Sequence, residues 1–195
     1  MKIGVLALQG AVTEHIQMLS DLGVEAVPVR LPFELEGLDA LIIPGGESTT
    51  IGKLLSDYGL MEPIRRLAKK GLPIFGTCAG LVLLAKKVSN LQLEPIGMID
   101  IEVKRNAFGR QIDSFEADLK LPALHDSGFH GVFIRAPVIE KVDKNVEVLC
   151  QLNGKPVAVR QGKILACAFH PELTGDTRLH KYFLDIVVGD GHCKE

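Results

Sequence analysis

The chain has no Cys-x-x-Cys pair, and its four cysteines, at 78, 150, 167 and 193, lack the spacing of zinc ligands. His15, His125, His130, His180 and His192 form no His-Glu-x-x-His or related pattern. A metal site is therefore not expected. There is no basic excess: 22 Lys and Arg stand against 24 Asp and Glu, for a net charge of −2, which argues against a nucleic-acid binder. No apolar run approaches the roughly 20 residues that a membrane-spanning helix needs. A signal-peptide pattern is also missing, since Met1-Lys2-Ile3 leads straight into a strand pattern. Free thiols without a secretion signal fit the reducing cytoplasm. Internal repeats and low-complexity linkers are absent too. One domain is expected over residues 1–188, with 189–195 as a frayed tail.

What the chain does contain is an ordinary globular balance, 47% hydrophobic and 24% charged over 195 residues, enough for a sizeable core. One stretch organises it. Leu72-Pro73-Ile74-Phe75 reads as a buried strand, Gly76-Thr77-Cys78-Ala79-Gly80 as a sharp turn, and Leu81-Val82-Leu83-Leu84-Ala85 as a helix-favouring run. This is the form of a nucleophile elbow, with sulfur in place of the usual serine hydroxyl. Such a turn brings strand and helix backbones close, and Gly76 and Gly80 remove the Cβ atoms that would collide. Cys78 then lies at a helix N-terminus, where partial positive charge favours a thiolate. The Ala79 amide would face any oxyanion formed nearby. A lone G-x-C-x-G also occurs as a buried cysteine between two turn glycines.

The first half alternates strand and helix patterns. Residues 2–8, 24–29 and 38–43 read as strands, and 11–22, 49–58 and 63–70 as helices. This predicts an α/β fold: three layers, with a mostly parallel central sheet flanked by helices. The second half is strand-rich, at 97–103, 129–135, 146–152, 156–160 and 164–169. Asn153-Gly154 and Gln161-Gly162 read as hairpin turns, so an antiparallel extension is expected in the C-terminal half. Residues 174–188 read as a closing helix with Leu179, Tyr182, Phe183, Ile186 and Val187 on one face.

Ligands of parallel α/β sheets bind beyond the carboxyl ends of the strands. Gln9-Gly10, Gly45-Gly46-Glu47-Ser48, Cys78 and His170-Pro171-Glu172 all fall at such ends. Pro171 favours an extended His170, and residues i and i+2 of an extended chain project to one side. Glu172 could then orient His170 while His170 takes the Cys78 proton. The alternative is a loop histidine beside a solvated glutamate. The glycine pair is not a phosphate loop: G-x-x-x-x-G-K would need glycine where Glu47 stands, and Leu54 occupies the Ser or Thr position. It reads instead as a turn whose amides supply a second oxyanion donor, although Glu47 and Thr50 also suit a plain structural turn. Arg105 and Arg135 are candidate carboxylate anchors, or surface ion pairs. Cys150 and Cys167, in apolar strands, read as core.

Together these segments resemble the class I, triad-type glutamine amidotransferases, and most closely the glutaminase subunits of glutamine-dependent pyridoxal 5′-phosphate synthases. The resemblance rests on Gly4-Val5-Leu6-Ala7-Leu8-Gln9-Gly10, Pro44-Gly45-Gly46-Glu47-Ser48-Thr49-Thr50 and the elbow. It rests equally on Arg105-Asn106-Ala107-Phe108-Gly109-Arg110-Gln111, Phe133-Ile134-Arg135-Ala136-Pro137 and Phe169-His170-Pro171-Glu172-Leu173-Thr174. It implies a Cys78, His170 and Glu172 triad and a glutamine site lined by Gly46, Glu47, Ser48, Arg105, Ile134 and Arg135. It further implies oxyanion donors at Gly46 and Ala79, and no cofactor or metal. The implied reaction releases ammonia from L-glutamine. The ammonia passes to a (β/α)8-barrel synthase subunit that activates the glutaminase, with Gln9 and Gly45 near the docking face. Rival readings are an amidotransferase subunit of histidine, purine or anthranilate synthesis, an elbow-cysteine stress-response or protease-like relative, and a non-catalytic module on the same fold.

Overall fold

The computed structural model describes residues 1–89, 94–105, 114–124 and 128–189. The Asn106–Gln111 part of the arginine motif, His125, His192 and Cys193 lie outside them. The central sheet has seven strands. Five run parallel: β1 (Lys2–Leu6), β2 (Glu25–Val29), β3 (Ala40–Ile43), β4 (Ile74–Thr77) and β12 (Ile164–Cys167). Beyond β12, β11 (Lys155–Gln161) and β10 (Glu147–Leu152) continue the sheet antiparallel. The spatial order is β10-β11-β12-β4-β3-β1-β2. β4, the strand that feeds the elbow, is therefore central, between β3 and β12.

The strand sequences explain the layering. β3 and β4 are buried at every position, and the pleat divides their side chains between two cores. Leu41, Ile43 and Ile74 pack with residues of α2 (Ser48–Asp57), α3 (Met61–Lys69) and α4 (Ala79–Leu84). Ala40, Ile42 and Phe75 pack instead with residues of α1 (Val12–Asp21) and α5 (Arg178–Val188). The sheet thus has helices on both faces, as the alternating pattern predicts.

The antiparallel part is more divided than the sequence pattern suggests. Besides β10 and β11, there is a mixed three-stranded sheet of β5 (Ala85–Ser89), β6 (Ile99–Lys104) and β9 (Val138–Val142), in which β5 and β6 pair parallel and β6 and β9 antiparallel. A two-stranded ribbon, β7 (Ser114–Leu119) with β8 (Phe129–Ile134), is separate again. The elbow helix is shorter than its apolar run: Ala85 turns extended, with ψ 142°, and begins β5. Pairing with β6 overrides the local helix preference there. Asn153 and Gly154 join β10 to β11 with φ of 51° and 75°, the left-handed values of a tight hairpin turn. The second hairpin is displaced by one residue, because Gln161 still pairs with Ile164. The closing helix starts at Arg178, after a 3-10 turn at Pro171–Leu173. No helix among the described residues is long and apolar enough to cross a membrane.

Candidate active site

The site is built where β4 ends. Cys78 follows Thr77 with φ 47° and ψ −97°, a conformation an L-residue seldom takes, and α4 begins at once. Its amide N–H donates to the Cys167 carbonyl at 2.9 Å, tying the elbow to β12. A Cβ on Gly76 would come within 2.7 Å of the Gly80 carbonyl carbon, and one on Gly80 within 2.1 Å of the Ile43 carbonyl oxygen. Both glycines are needed for the close approach, and the tight turn presents Cys78 at the sheet rim.

His170 follows the end of β12, anchored by its N–H donating to the Val132 carbonyl at 2.8 Å. Its Nδ1 is 2.7 Å from Glu172 Oε1, and both residues are buried. A carboxylate oxygen only accepts, so Nδ1 carries the proton and Nε2 remains for the sulfur. The route to this contact differs from the extended one expected. Pro171 opens a 3-10 turn, whose first position suits its fixed φ, and Glu172 reaches back across that turn. Burial alone would lower the His170 pKa. Hydrogen bonds to Cys78 and Glu172, reinforced by their charges, outweigh it and push His170 up to about 10.

The glycine turn packs against this line. A Cβ on Gly45 would stand 2.3 Å from His170 Cε1, so only glycine leaves room for the ring. The Gly45 N–H donates to Thr77 Oγ1 at 2.9 Å, and its carbonyl accepts from Ala11 N–H at 3.0 Å. The Gly45 amide is thus already engaged. The Glu47 N–H donates to Gln9 Oε1 at 2.7 Å.

A cavity of about 470 Å³ opens above Cys78. Gly46, Glu47 and Ser48 form one wall, and Ala79 lies beside Cys78. Arg105, Ile134 and Arg135 form another wall, with Gln9 and His170 also exposed to the space. The Ile134 carbonyl is 3.7 Å from the Cys78 sulfur. Gly45 and Glu172 stand behind the lining, against His170. Val82 and Pro137 line the cavity as well. Nothing chemical in those two apolar side chains marks them in the sequence.

Glu47 has a structural task, since it caps α2 by accepting from Thr49 N–H at 3.1 Å and Thr50 N–H at 2.7 Å. Burial would raise its pKa, but the Thr50 and Thr49 hydrogen bonds prevail and lower it. Arg105 pairs with it, Nη2 to Oε1 at 3.0 Å. Arg135 has no ion-pair partner among the described residues and sits at φ 44°, a second strained position beside the cavity. Away from the cavity, burial pushes Cys150 up to about 11 and raises Cys167 as well, so both are held as thiols.

Two further histidines are buried, His15 on α1 beside Glu172 and His180 on α5 beside His15. Burial lowers both, His180 to about 4; for His15 the neighbouring His180 and His170 add to the effect. The unfolded chain takes up these protons below about pH 6.5, whereas folded His180 does so only near 4. Stability from this source is therefore complete above pH 6.5 and falls as pH drops toward 4. For His180 the loss amounts to about 3 kcal/mol. Urea midpoints measured from neutral pH to about pH 4 are expected to fall less steeply in His180→Phe than in the wild type.

A sulfur elbow backed by an imidazole and a carboxylate is the arrangement of cysteine hydrolases that work through a covalent intermediate. The chain belongs to the SNO glutamine amidotransferase family, which it matches over residues 5–189. It is 56% identical over 187 residues to the pyridoxal 5′-phosphate synthase subunit PdxT of Moorella thermoacetica, covering 96% of this chain and 100% of that one. To the PdxT subunit of Pelotomaculum thermopropionicum it is 55% identical over 195 residues, covering 100% of both. A crystal structure of a glutamine amidotransferase superposes with a TM-score of 0.91 at 53% identity, covering 95% of this chain and 98% of that chain. The family resemblance read from the motifs is borne out.

Proposed function

We propose that the protein hydrolyses L-glutamine to L-glutamate and ammonia through a thioester on Cys78, as the glutaminase subunit of a pyridoxal 5′-phosphate synthase. The observation that carries this reading is that Cys78 and His170 line one open cavity, with Glu172 held behind the His170 ring at 2.7 Å. Residues 1–188 are read as one glutaminase domain. A chain with Cys78, Cys150 and Cys167 all as free thiols suits the reducing cytoplasm.

With the proton on His170, the sulfur attacks the side-chain amide carbon and the carbonyl electrons move onto oxygen. The amides of Gly46 and Ala79 receive that oxyanion. His170 gives its proton to the amide nitrogen, the C–N bond breaks and ammonia leaves. Water then attacks the thioester, and His170 takes its proton. The C–S bond breaks, and glutamate departs with the thiolate and imidazolium restored. Throughout, Glu172 holds Nδ1–H and so keeps Nε2 toward the sulfur.

Arg135, which lines the cavity and has no ion-pair partner among the described residues, is read as the anchor of the substrate carboxylate. Arg105 is committed to Glu47, and this pair is read as shaping the wall between them. Arg135→Gln is expected to raise KM for glutamine about 10- to 100-fold with a smaller change in kcat, as for loss of a charged hydrogen bond. Steady-state kinetics checks it.

Free ammonia is mostly protonated at neutral pH, which favours direct transfer to a second subunit. We read that subunit as a (β/α)8-barrel synthase docking near Gln9 and the Gly45-Gly46 turn. The deciding experiment measures ammonia release from glutamine with and without the barrel subunit. Release that rises on adding the barrel is expected. Equal rates would overturn the activation step, and no release in either case would overturn the hydrolase reading.

A further inference from the structure

The triad does not end at Glu172. Its Oε1 is taken by His170, but its Oε2 is buried and has no well-formed hydrogen bond among the described residues. The nitrogen that faces it is His15 Nε2, at 3.5 Å. That nitrogen also lies 3.2 Å from Thr77 Oγ1, the hydroxyl that accepts the Gly45 N–H. The other nitrogen of His15, Nδ1, is 2.9 Å from His180 Nε2. A buried chain of contacts thus runs from α5 through α1 to the back of the triad.

We propose that His15 is a positioning residue: braced by His180, it donates from Nε2 toward the free oxygen of Glu172 and fixes the carboxylate that orients His170. The proposal rests on the hydrolase reading above.

Oε2 can only accept, whereas the Thr77 hydroxyl beside it can accept or donate, so hydrogen on His15 Nε2 is the tautomer that sets no lone pair against the carboxylate. Nδ1 is then a lone pair, and His180 Nε2 must donate to it. His180 Nδ1 is left as a bare acceptor, which accounts for its lack of any partner among the described residues. The opposite assignment would set a lone pair of His15 against the carboxylate and strand a buried N–H on His180, at higher cost. Burial keeps both rings neutral at neutral pH, so each has one proton to place. The titratable groups around His15 are His180, His170 and Glu172, and Phe75 closes the side with its ring edge-on. Thr77 couples the same nitrogen to the glycine turn. One ring therefore bears on both the carboxylate and the turn that flanks His170.

The test uses the complex with the barrel subunit and three variants. His15→Leu fills the space but cannot donate. His15→Leu combined with His180→Phe also removes the stranded donor, so that folding is preserved. His15→Gln carries an amide N–H near the position of Nε2. The first two are expected to lower kcat for glutamine about tenfold, as the carboxylate loses the donor that faces it, with KM within about twofold of wild type. His15→Gln is expected to recover most of kcat. A residue that only filled space would give the reverse, with leucine active and glutamine impaired. In the unmodified protein, ring 15N shifts are expected to show both His15 and His180 neutral, with hydrogen on Nε2. Wild-type kcat in the leucine variants, glutamine as slow as leucine, or hydrogen on His15 Nδ1 would overturn the proposal alone. No ammonia from the wild-type complex would overturn the hydrolase reading and this proposal with it.

Discussion

Cys78→Ala is expected to stop ammonia release from glutamine, lowering kcat by on the order of 10⁴-fold or more. Neither of the other two thiols among the described residues can take over. Cys150 and Cys167 are buried in the core, and burial holds both protonated. Water acting without the sulfur would still have His170 and the oxyanion amides, but would lack the nucleophile that divides the reaction into two easier steps. The fold should survive, since the substitution removes one atom from a side chain at the cavity edge. Binding of the proposed barrel subunit should survive too, and gel filtration of the mixture checks it. Alanine remains strained at φ 47°, whereas glycine does not. Cys78→Gly is accordingly expected to be more stable than Cys78→Ala by about 1 kcal/mol, against the usual order. Turnover near wild type in either variant would remove Cys78 from the reaction.

The features legible in the sequence are those set by local chemistry. Gly76 and Gly80 flank Cys78 because the elbow brings backbone against backbone, and the collisions a Cβ would make confirm that reason. Strands buried at every position, such as Ala40–Ile43 and Ile74–Thr77, carry their central place in their largely apolar composition. Other features depend on contacts distant in the chain. β5 lies at the end of an apolar run that reads as helix, and only pairing with β6 makes it a strand. β7 alternates with period two, but half-buried Phe115 and Ala117 signal weakly. His15 is visible as one residue on the inner face of α1. Its partners Thr77 and His180 are 62 and 165 positions away, and no spacing rule connects them. The Glu47–Arg105 pair is similar: each residue can be marked as polar and near a strand end, but the ion pair spans 58 positions.

His170→Asn is expected to lower kcat by about 10³-fold or more while leaving the fold intact. Asparagine is a discriminating replacement. Its amide nitrogen sits near the place of Nδ1, so it can still donate to Glu172, but it has nothing where Nε2 meets the sulfur. The loss therefore reports proton transfer, not the loss of a buried partner for the carboxylate. The same variant separates the pH behaviour. In the wild type the raised His170 pKa stabilises the fold fully below about pH 6.5, and this contribution disappears as pH rises through about 10. Asparagine does not titrate, so the alkaline fall in the urea midpoint should be smaller in the variant, while the acid fall due to His180 should remain. A variant that kept wild-type kcat would show that His170 moves no proton in the reaction. An alkaline fall equal to that of the wild type would show that His170 is not held charged by Cys78 and Glu172.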